Sequence, residues 1–138
     1  MNQYKSAAFN YLKDEKKIHV KEIDEVAFSV CFEGDNCKDI PVIVIFDEDG
    51  SNHVAVRCFG ISNAQFAGKE AAALALCNAL NNQFRWVKFT LNDDAEISAS
   101  IDGILDLDTC GEEIYHLIML IVGITDEAYP EIMRARFS

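Results

Sequence analysis

The segment from Asn78 to Phe89 constrains the fold more than any other part of this 138-residue chain. Its sequence, NALNNQFRWVKF, follows an alanine-rich stretch and passes into alternating apolar residues. This pattern indicates the amide-rich end of a helix that runs directly into a strand. The only tryptophan, Trp86, lies at the junction. Nothing in the segment resembles a catalytic centre, so it indicates how the chain is built rather than a reaction.

Five segments have the composition and pattern of strands. Residues 40–46 are continuously apolar and rich in β-branched side chains, which predicts a strand buried on both faces. Turn-forming residues separate the first three segments, so these are predicted to form an antiparallel meander. The last two are predicted to form a second hairpin with one wet face. The five predicted strands span residues 26–33, 40–46, 53–59, 85–91 and 97–102.

Two helices are predicted in the first part of the chain. Helical spacing of apolar residues predicts the first over about 3–15. The segment Ser62–Gln65 matches a capping box and precedes an alanine-rich stretch, which predicts the start of the second. One stripe of this second helix is formed by Phe66, Ala73, Cys77, Leu80 and Phe84.

The last third of the chain is predicted to be a helix that begins with a second capping box, Thr109-x-x-Glu112. Apolar residues cover most of it between Ile114 and Ile124, so we expect it to be buried on more than one side. In a small domain the second side is often a partner subunit. Gly123 and Pro130 are predicted to break or bend this helix.

The predicted element order is α-β-β-β-α-β-β-α. Because short turns join most of the strands, we expect an α+β domain in which helices pack against a five-stranded antiparallel sheet. The length and the even spread of apolar residues predict a single domain over residues 1–138.

The charge is the unusual part of the composition, with 12 Lys and Arg against 23 Asp and Glu, a formal net charge of −11. A nucleic-acid-binding surface needs clustered cations, and the densest basic group, Lys13 to Lys21, is interrupted by Asp14 and Glu15. We therefore expect neither nucleic acid nor an anionic membrane as a partner. The acidity favours solubility and a basic or unfolded protein partner. The alternative is that the acidic residues only keep the surface hydrated and bind no partner.

Five cysteines, at positions 31, 37, 58, 77 and 110, form no Cys-x-x-Cys pair, and several lie in apolar runs. This usage favours a reducing compartment. Polar residues Asn2, Gln3 and Lys5 interrupt any early apolar run, and the run from Ile114 to Ile124 is too short to cross a bilayer. We expect a cytoplasmic protein.

Candidate chemistry is sparse. His19, His53 and His116 belong to three different predicted elements without metal-ligand spacing, so no metal or cofactor is predicted. His53 and Cys58 are five positions apart on one strand, which directs their side chains to opposite faces. Cys110, beside a helix start, is a candidate redox-sensitive surface thiol without an identifiable base.

Two acidic segments invite a calcium interpretation and fail it. Residues 106–111 place a glycine as in an EF-hand loop, yet Cys110 stands at position five and Leu117 at position twelve, where a bidentate Glu is needed. In Asp47-x-Asp49-Gly50 the glycine comes two places early. No dinucleotide-binding glycine motif, P-loop or Gly-x-Ser-x-Gly is present. A non-enzymatic protein without catalytic residues is therefore predicted.

Short segments along nearly the whole chain resemble the YbjN-type domain, whose fold is that of the type III secretion chaperones. They are Asn78–Asn81, Arg85–Leu91, the acidic turn before Glu96, and the ending Ile124–Met133. The resemblance implies a small, cytoplasmic, bacterial domain with no established catalytic residues to carry over. The chaperone relatives are acidic homodimers that hold extended protein segments on apolar patches, and other members are linked to stress and regulatory phenotypes.

Two hypotheses follow. The first is a protein-binding module, chaperone-like or regulatory, that acts as a homodimer. Its candidate partner-binding residues are Trp86, Phe84, Ile114, Ile118 and Ile121. For the aromatic pair the alternative is a core Phe84 and a partly exposed strand residue at Trp86. The second hypothesis is a small-ligand or enzymatic domain with a pocket between the sheet and the last helix, lined by His53, His116, Cys58 or Glu112.

Overall fold

A computed structural model describes residues 2–61 and 65–138. Helix α1 (Gln3–Asn10) is continued by a π-helical turn (Tyr11–Glu15), as the spacing of its apolar residues predicts. The other helices are α2 (Glu70–Gln83) and α3 (Cys110–Phe137). The strands are β1 (Lys21–Glu22), β2 (Ala27–Phe32), β3 (Ile40–Phe46), β4 (His53–Cys58), β5 (Lys88–Leu91) and β6 (Ile97–Ile104).

The strands form one antiparallel sheet in the order β1-β2-β3-β4-β6-β5. The predicted α+β class, the β2–β3–β4 meander and the β5–β6 hairpin are confirmed. The predicted strand number is wrong, because β1 is a sixth strand that pairs Lys21 with Ser29 and Glu22 with Phe28. Two residues are too few to show an alternation in the sequence.

Strand β1 is tied to α1 by a buried lysine. Lys5 is 2% exposed, and its Nζ donates to Glu22 Oε1 at 2.6 Å and to the Asp24 carbonyl at 2.5 Å. A buried ammonium must be paired in this way, because leaving it without a partner costs several kcal/mol. The ion pair therefore fixes the first helix against the edge of the sheet.

Among residues 2–61 and 65–138, the helices cover one face of the sheet. In β4, Val54, Val56 and Cys58 are buried and belong to the core shared with all three helices, whereas the alternate residues His53 and Arg57 lie on the open face. The prediction that residues 40–46 are buried on both faces is wrong, since the outward side chains of β3 are exposed or half-buried. An antiparallel sheet can face water on one side in this way.

Helix α2 begins later than the capping box predicts. Gly68 adopts a left-handed backbone with φ +82°, and Gln65 forms an isolated β-bridge with Glu96, so the chain is still irregular before Glu70. Of the predicted box, Ser62, Asn63 and Ala64 lie outside the described residues. The predicted stripe does face the core, with Phe84 half-buried and four side chains buried, Phe66, Ala73, Cys77 and Leu80.

Helix α3 is one continuous element of 28 residues that contains both Gly123 and Pro130, so the predicted break is wrong. The side chain of Thr109 makes no capping hydrogen bond. Instead Glu113 Oε1 accepts from the backbone N–H of Asp106 at 2.9 Å, which fastens the loop before the helix to its first turn.

The loop between β2 and β3 is fastened to α3 through Asp126. The carboxylate of Asp126 accepts backbone N–H groups of Asp35 at 3.1 Å, Asn36 at 2.9 Å and Cys37 at 2.8 Å. Consecutive N–H groups that converge on one anion form a nest. A Cβ atom at Gly34 would overlap the same carboxylate, so only glycine fits there. These hydrogen bonds lower the pKa of Asp126, first through the Cys37 N–H.

Pro130 adds to the same contact. Because proline has no N–H, the carbonyl of Asp126, four residues earlier, loses its usual helical donor. Asn36 supplies the missing donor, since its Nδ2 lies 3.2 Å from that carbonyl. The loop therefore satisfies the backbone acceptor that Pro130 leaves open.

We expect Asp126→Asn to lower the free energy of unfolding by about 2 kcal/mol at neutral pH, because the amide loses the charge that strengthens three hydrogen bonds. Urea denaturation followed by circular dichroism measures this difference. Glu127→Gln, an exposed carboxylate on the next residue of the helix, is the matched control and should change little.

The pH dependence of this contribution has a definite sign. A folded pKa below the unfolded value of about 3.9 means that the stabilisation is fully present above that pH and is lost as the pH falls through the folded pKa. The stability gap between the original protein and Asp126→Asn should therefore narrow in acid. A gap that stayed constant down to acid unfolding would contradict the role given to the carboxylate.

The outer strand β5 is bordered by a side chain of α2. The N–H of Phe89 donates to Asn81 Oδ1 at 2.7 Å, and Asn81 Nδ2 donates to the Phe89 carbonyl at 3.0 Å. The amide of Asn81 therefore takes the place that a neighbouring strand would occupy. This contact joins the end of α2 to β5 at the helix-to-strand junction that the sequence predicts.

Asn81→Ala should destabilise the fold by about 1–2 kcal/mol, because it leaves both backbone groups of Phe89 without their partner. The neighbouring Asn82 bonds only the Asn78 carbonyl of its own helix, so Asn82→Ala is the matched control. Thermal unfolding of the two variants measures the difference. Equal melting temperatures would show that the Asn81 contact contributes nothing.

Candidate functional site

The junction between α2 and β5 separates the two aromatic residues of the predicted site. Phe84 is half-buried, with its ring 6.3 Å from that of Phe89. Trp86 is 66% exposed, and the Arg85 guanidinium lies 5.3 Å from its ring centre. The structure therefore places Phe84 against the core and Trp86 on the surface.

The backbone around Trp86 is strained. Its φ is +74°, and the N–H of Val87 donates to the Arg85 carbonyl at 2.8 Å. These features describe a γ-turn with a positive central φ, a rare and strained form. Strained backbone of this kind persists only where the surrounding structure enforces it, and it clusters at functional sites. The turn holds a large indole in solvent while the adjacent Val87 is buried.

The outward face of α2 leads to Trp86 and carries no charge. Between Glu70 and Arg85 the chain has no charged residue, and Leu74 on this face is 57% exposed. The other exposed side chains of this face are Ala71, Ala72, Ala75, Asn78, Ala79 and Asn82. Leu74 is absent from the predicted site, although the lack of charge over thirteen consecutive helical residues, 71–83, is a signal that could have found it.

The three isoleucines of the predicted site lie in the interior. Ile114, Ile118 and Ile121 are fully buried in the core, so they present no surface to a partner. The expectation that α3 needs a partner subunit to cover it is corrected accordingly, because α3 packs against the sheet on one side and against α1 and α2 on others. The remaining large apolar residues between Ile114 and Ile124 are half-buried against the same core.

The polar residues proposed for a ligand pocket do not converge. Glu112 and His116 line an open hollow of about 380 Å³ between the end of β6 and α3. His53 lines a different hollow, of about 560 Å³, on the open face of the sheet, where its Nδ1 lies 3.4 Å from Asp47. Across residues 2–61 and 65–138, no group of three His, Cys, Asp or Glu side chains is arranged to hold a metal ion.

A family model matches residues 36–134 of the chain, from the loop that holds Asp126 to the last turns of α3. The family is YbjN, described as "Putative bacterial sensory transduction regulator". The chain belongs to the YbjN family. The suspected resemblance is thereby confirmed, and the description is that of a regulator rather than an enzyme. No curated protein matches the chain. In the described part of this YbjN protein, no helix has the length and apolar character needed to cross a membrane.

Three cysteine thiols of this YbjN chain, Cys31, Cys58 and Cys110, have a pKa raised above the ordinary value. Burial raises the pKa of Cys58 to about 12, and burial also raises the pKa of Cys110. The prediction of a surface thiol at Cys110 is wrong, since the residue is 1% exposed with its Sγ 3.8 Å from the Tyr4 carbonyl. Cys31 is exposed, but its hydrogen bond to Asp39, at 2.9 Å, raises its pKa. A raised pKa lowers the fraction of the nucleophilic thiolate.

Asp39→Asn should increase the rate at which iodoacetamide alkylates Cys31 severalfold at pH 8, because removing the carboxylate lowers the pKa of the thiol. Mass spectrometry of a digest measures the rate at each cysteine, and Cys58 should remain unmodified. Glu33→Gln removes an exposed charge from the same hairpin and is the control. An unchanged rate in Asp39→Asn would contradict this account of Cys31.

Proposed function

We propose that this YbjN protein is a non-enzymatic regulatory module that acts by binding other protein chains, and that it functions as a homodimer. The observation that carries the proposal is the exposed outward face of α2, which has no charge from Ala71 to Asn82, with the exposed Trp86 beyond its end. The family description as a regulator supports the same conclusion.

A second copy of the chain is the occupant that this surface fits best. Each chain carries a formal net charge of −11, so two copies repel one another over most of their surfaces. The face of α2 from Ala71 to Asn82 contains no charge, and its alanines let another helix approach closely. Self-association therefore meets the least electrostatic opposition here.

Trp86 and Leu74 supply the apolar contact for such an interface. A tryptophan buried at an interface is among the residues that contribute most to binding, and Trp86 is held in solvent by a strained turn. Leu74 lies on the adjacent helix and is the other large apolar side chain of this surface. Both side chains are exposed in a monomer, Leu74 near the start of α2 and Trp86 just beyond its end.

We further propose that the fold is related to that of the type III secretion chaperones and that the protein acts in the cytoplasm. The element order α-β-β-β-α-β-β-α, with the short β1 added, supports the first point. The free thiols of Cys31, Cys58, Cys77 and Cys110 suit a reducing compartment. On this proposal residues 1–138 form one domain, in which helices and strands share a single core.

Sedimentation equilibrium at micromolar concentration should show a dimer, and Leu74→Glu should convert it to a monomer, because a carboxylate would then be buried in an uncharged interface. Leu107→Glu, which places the same charge at an exposed leucine elsewhere, is the control and should remain dimeric.

The sole tryptophan reports the same event. Its fluorescence maximum should move to shorter wavelength as the concentration rises, because Trp86 leaves water on association. Leu74→Glu should keep the long-wavelength maximum at every concentration. A monomer throughout the micromolar range, with unchanged emission, would overturn the homodimer.

A further inference from the structure

We propose that the end of the sheet around Ile104 binds a cationic amphipathic segment of another protein, that is, a segment in which apolar side chains alternate with Lys or Arg. This inference rests on the proposed protein-binding function and names a partner chemistry and a surface for it. The surface is distinct from the α2 face. This surface, the acidic end, consists of Ile104 and Leu107 together with the neighbouring carboxylates.

The acidic end has an exposed apolar centre. Ile104, the last residue of β6, is 74% exposed, and Leu107 in the loop that follows is 40% exposed. Ile104 forms part of two hollows, the one of about 560 Å³ on the open sheet face and the one of about 380 Å³ beside α3. An apolar side chain between two hollows offers contact on both of its sides, as a binding anchor requires.

The fold gives Ile104 no internal role. Ser98, Ser100 and Asp102 occupy the preceding outward positions of β6, so the alternation calls for a polar residue at 104. Its cross-strand neighbour is His53, which is itself exposed. An isoleucine in this place contributes little to the core, and its exposure therefore needs another explanation.

Carboxylates surround this centre on three elements. They lie in the β3–β4 turn, on β6, and from the β6–α3 loop to the first turn of α3. Two hydrogen bonds hold the turn and the loop together, from the Leu105 N–H to the Asn52 carbonyl at 2.8 Å and from Asn52 Nδ2 to the Leu105 carbonyl at 3.0 Å. Asp47 and Asp102 line one of the hollows beside Ile104, and Glu112 and Glu113 line the other. The adjoining turn and loop add Asp49, Asp106 and Asp108.

Few cations balance these charges. Within the described residues, Arg57 pairs with Asp102 at 2.8 Å and His53 lies 3.4 Å from Asp47, and the ion pairs include none for the other five carboxylates. Glu112 and Glu113 favour the N-terminus of α3, and the Asp residues suit turns, so each has a local role. Those roles leave the net negative potential uncompensated, and none of them requires the exposed Ile104.

The chemistry of the surface selects the class of partner. Its charge repels a second copy of this chain, a nucleic acid and an anionic lipid surface. A free metal ion or small cation would make no use of Ile104 and Leu107. A protein segment that inserts apolar side chains beside Ile104 and directs Lys or Arg toward the rim uses both features, and the charges would steer its approach.

The test uses the full chain and a fluorescein-labelled synthetic peptide of alternating Leu and Lys residues, with binding followed by fluorescence anisotropy. Ile104→Ser should weaken binding about tenfold, since it removes most of the apolar contact of one anchor. Ile23→Ser removes an isoleucine that is 49% exposed at the other side of the sheet, beside β1, and should bind like the original protein. The double variant Asp106→Asn, Asp108→Asn should weaken binding and flatten its dependence on salt.

The outcomes separate this inference from the homodimer. Leu74→Glu, the variant designed to be monomeric, should bind the peptide with unchanged affinity, because the α2 face is a different surface. If the original protein fails to bind the peptide, or binds it as tightly after Ile104→Ser, the acidic end is not a specific docking surface. Equal binding of a peptide with Glu in place of Lys would likewise overturn it. None of these results depends on whether the protein dimerises.

Discussion

The structure depends on burying one face of the sheet and leaving the other open. Three helices cover the inward face. Helix α3, whose 28 residues extend about 42 Å, crosses the neighbouring strands β3, β4 and β6. A helix of this length needs to be fixed at more than one point. The Asp126 contact with the β2–β3 loop fixes it toward its end, and the Glu113 contact fixes its beginning. Both contacts are polar and local, so they set the position of α3 while apolar burial supplies most of the stability.

Much of this architecture can be predicted from the sequence, because period-two alternation reports the burial of a strand directly. The bounds of β3 agree with the apolar run 40–46, and β5 and β6 lie within or close to their predicted segments. The features that the sequence does not predict depend on contacts between residues that are far apart in the chain. Strand β1 pairs with β2 and is fastened to α1 by Lys5, and Asn36 supplies, from another element, the donor that Pro130 lacks. A capping box likewise indicates where a helix can start, whereas Gly68 and the bridge at Gln65 decide where α2 does start.

The candidate site shows the same division. The position of Trp86 at a junction predicts a special environment, and the structure gives it a strained turn and an exposed ring. By contrast, the apolar pattern around Ile118 predicts that two sides of the helix are buried, but it does not identify the elements that bury them. In the structure, α1 and α2 of the same chain cover the second side. Ile104 carried a signal that was overlooked, because it continues the wet face of β6 with an apolar residue.

The Asn81 amide has a consequence for how this protein behaves when crowded. A sheet grows into fibrils when the backbone of an outer strand captures an identical strand from another molecule. At one border of this sheet the backbone groups of Phe89 are already occupied, and at the other border β1 offers only two residues. A strand of another molecule therefore finds no free backbone group at Phe89 and only a two-residue strand at the other edge. Such a chain can expose apolar side chains for binding a partner with a lower tendency to form fibrils than a protein whose outer strands are long and unpaired.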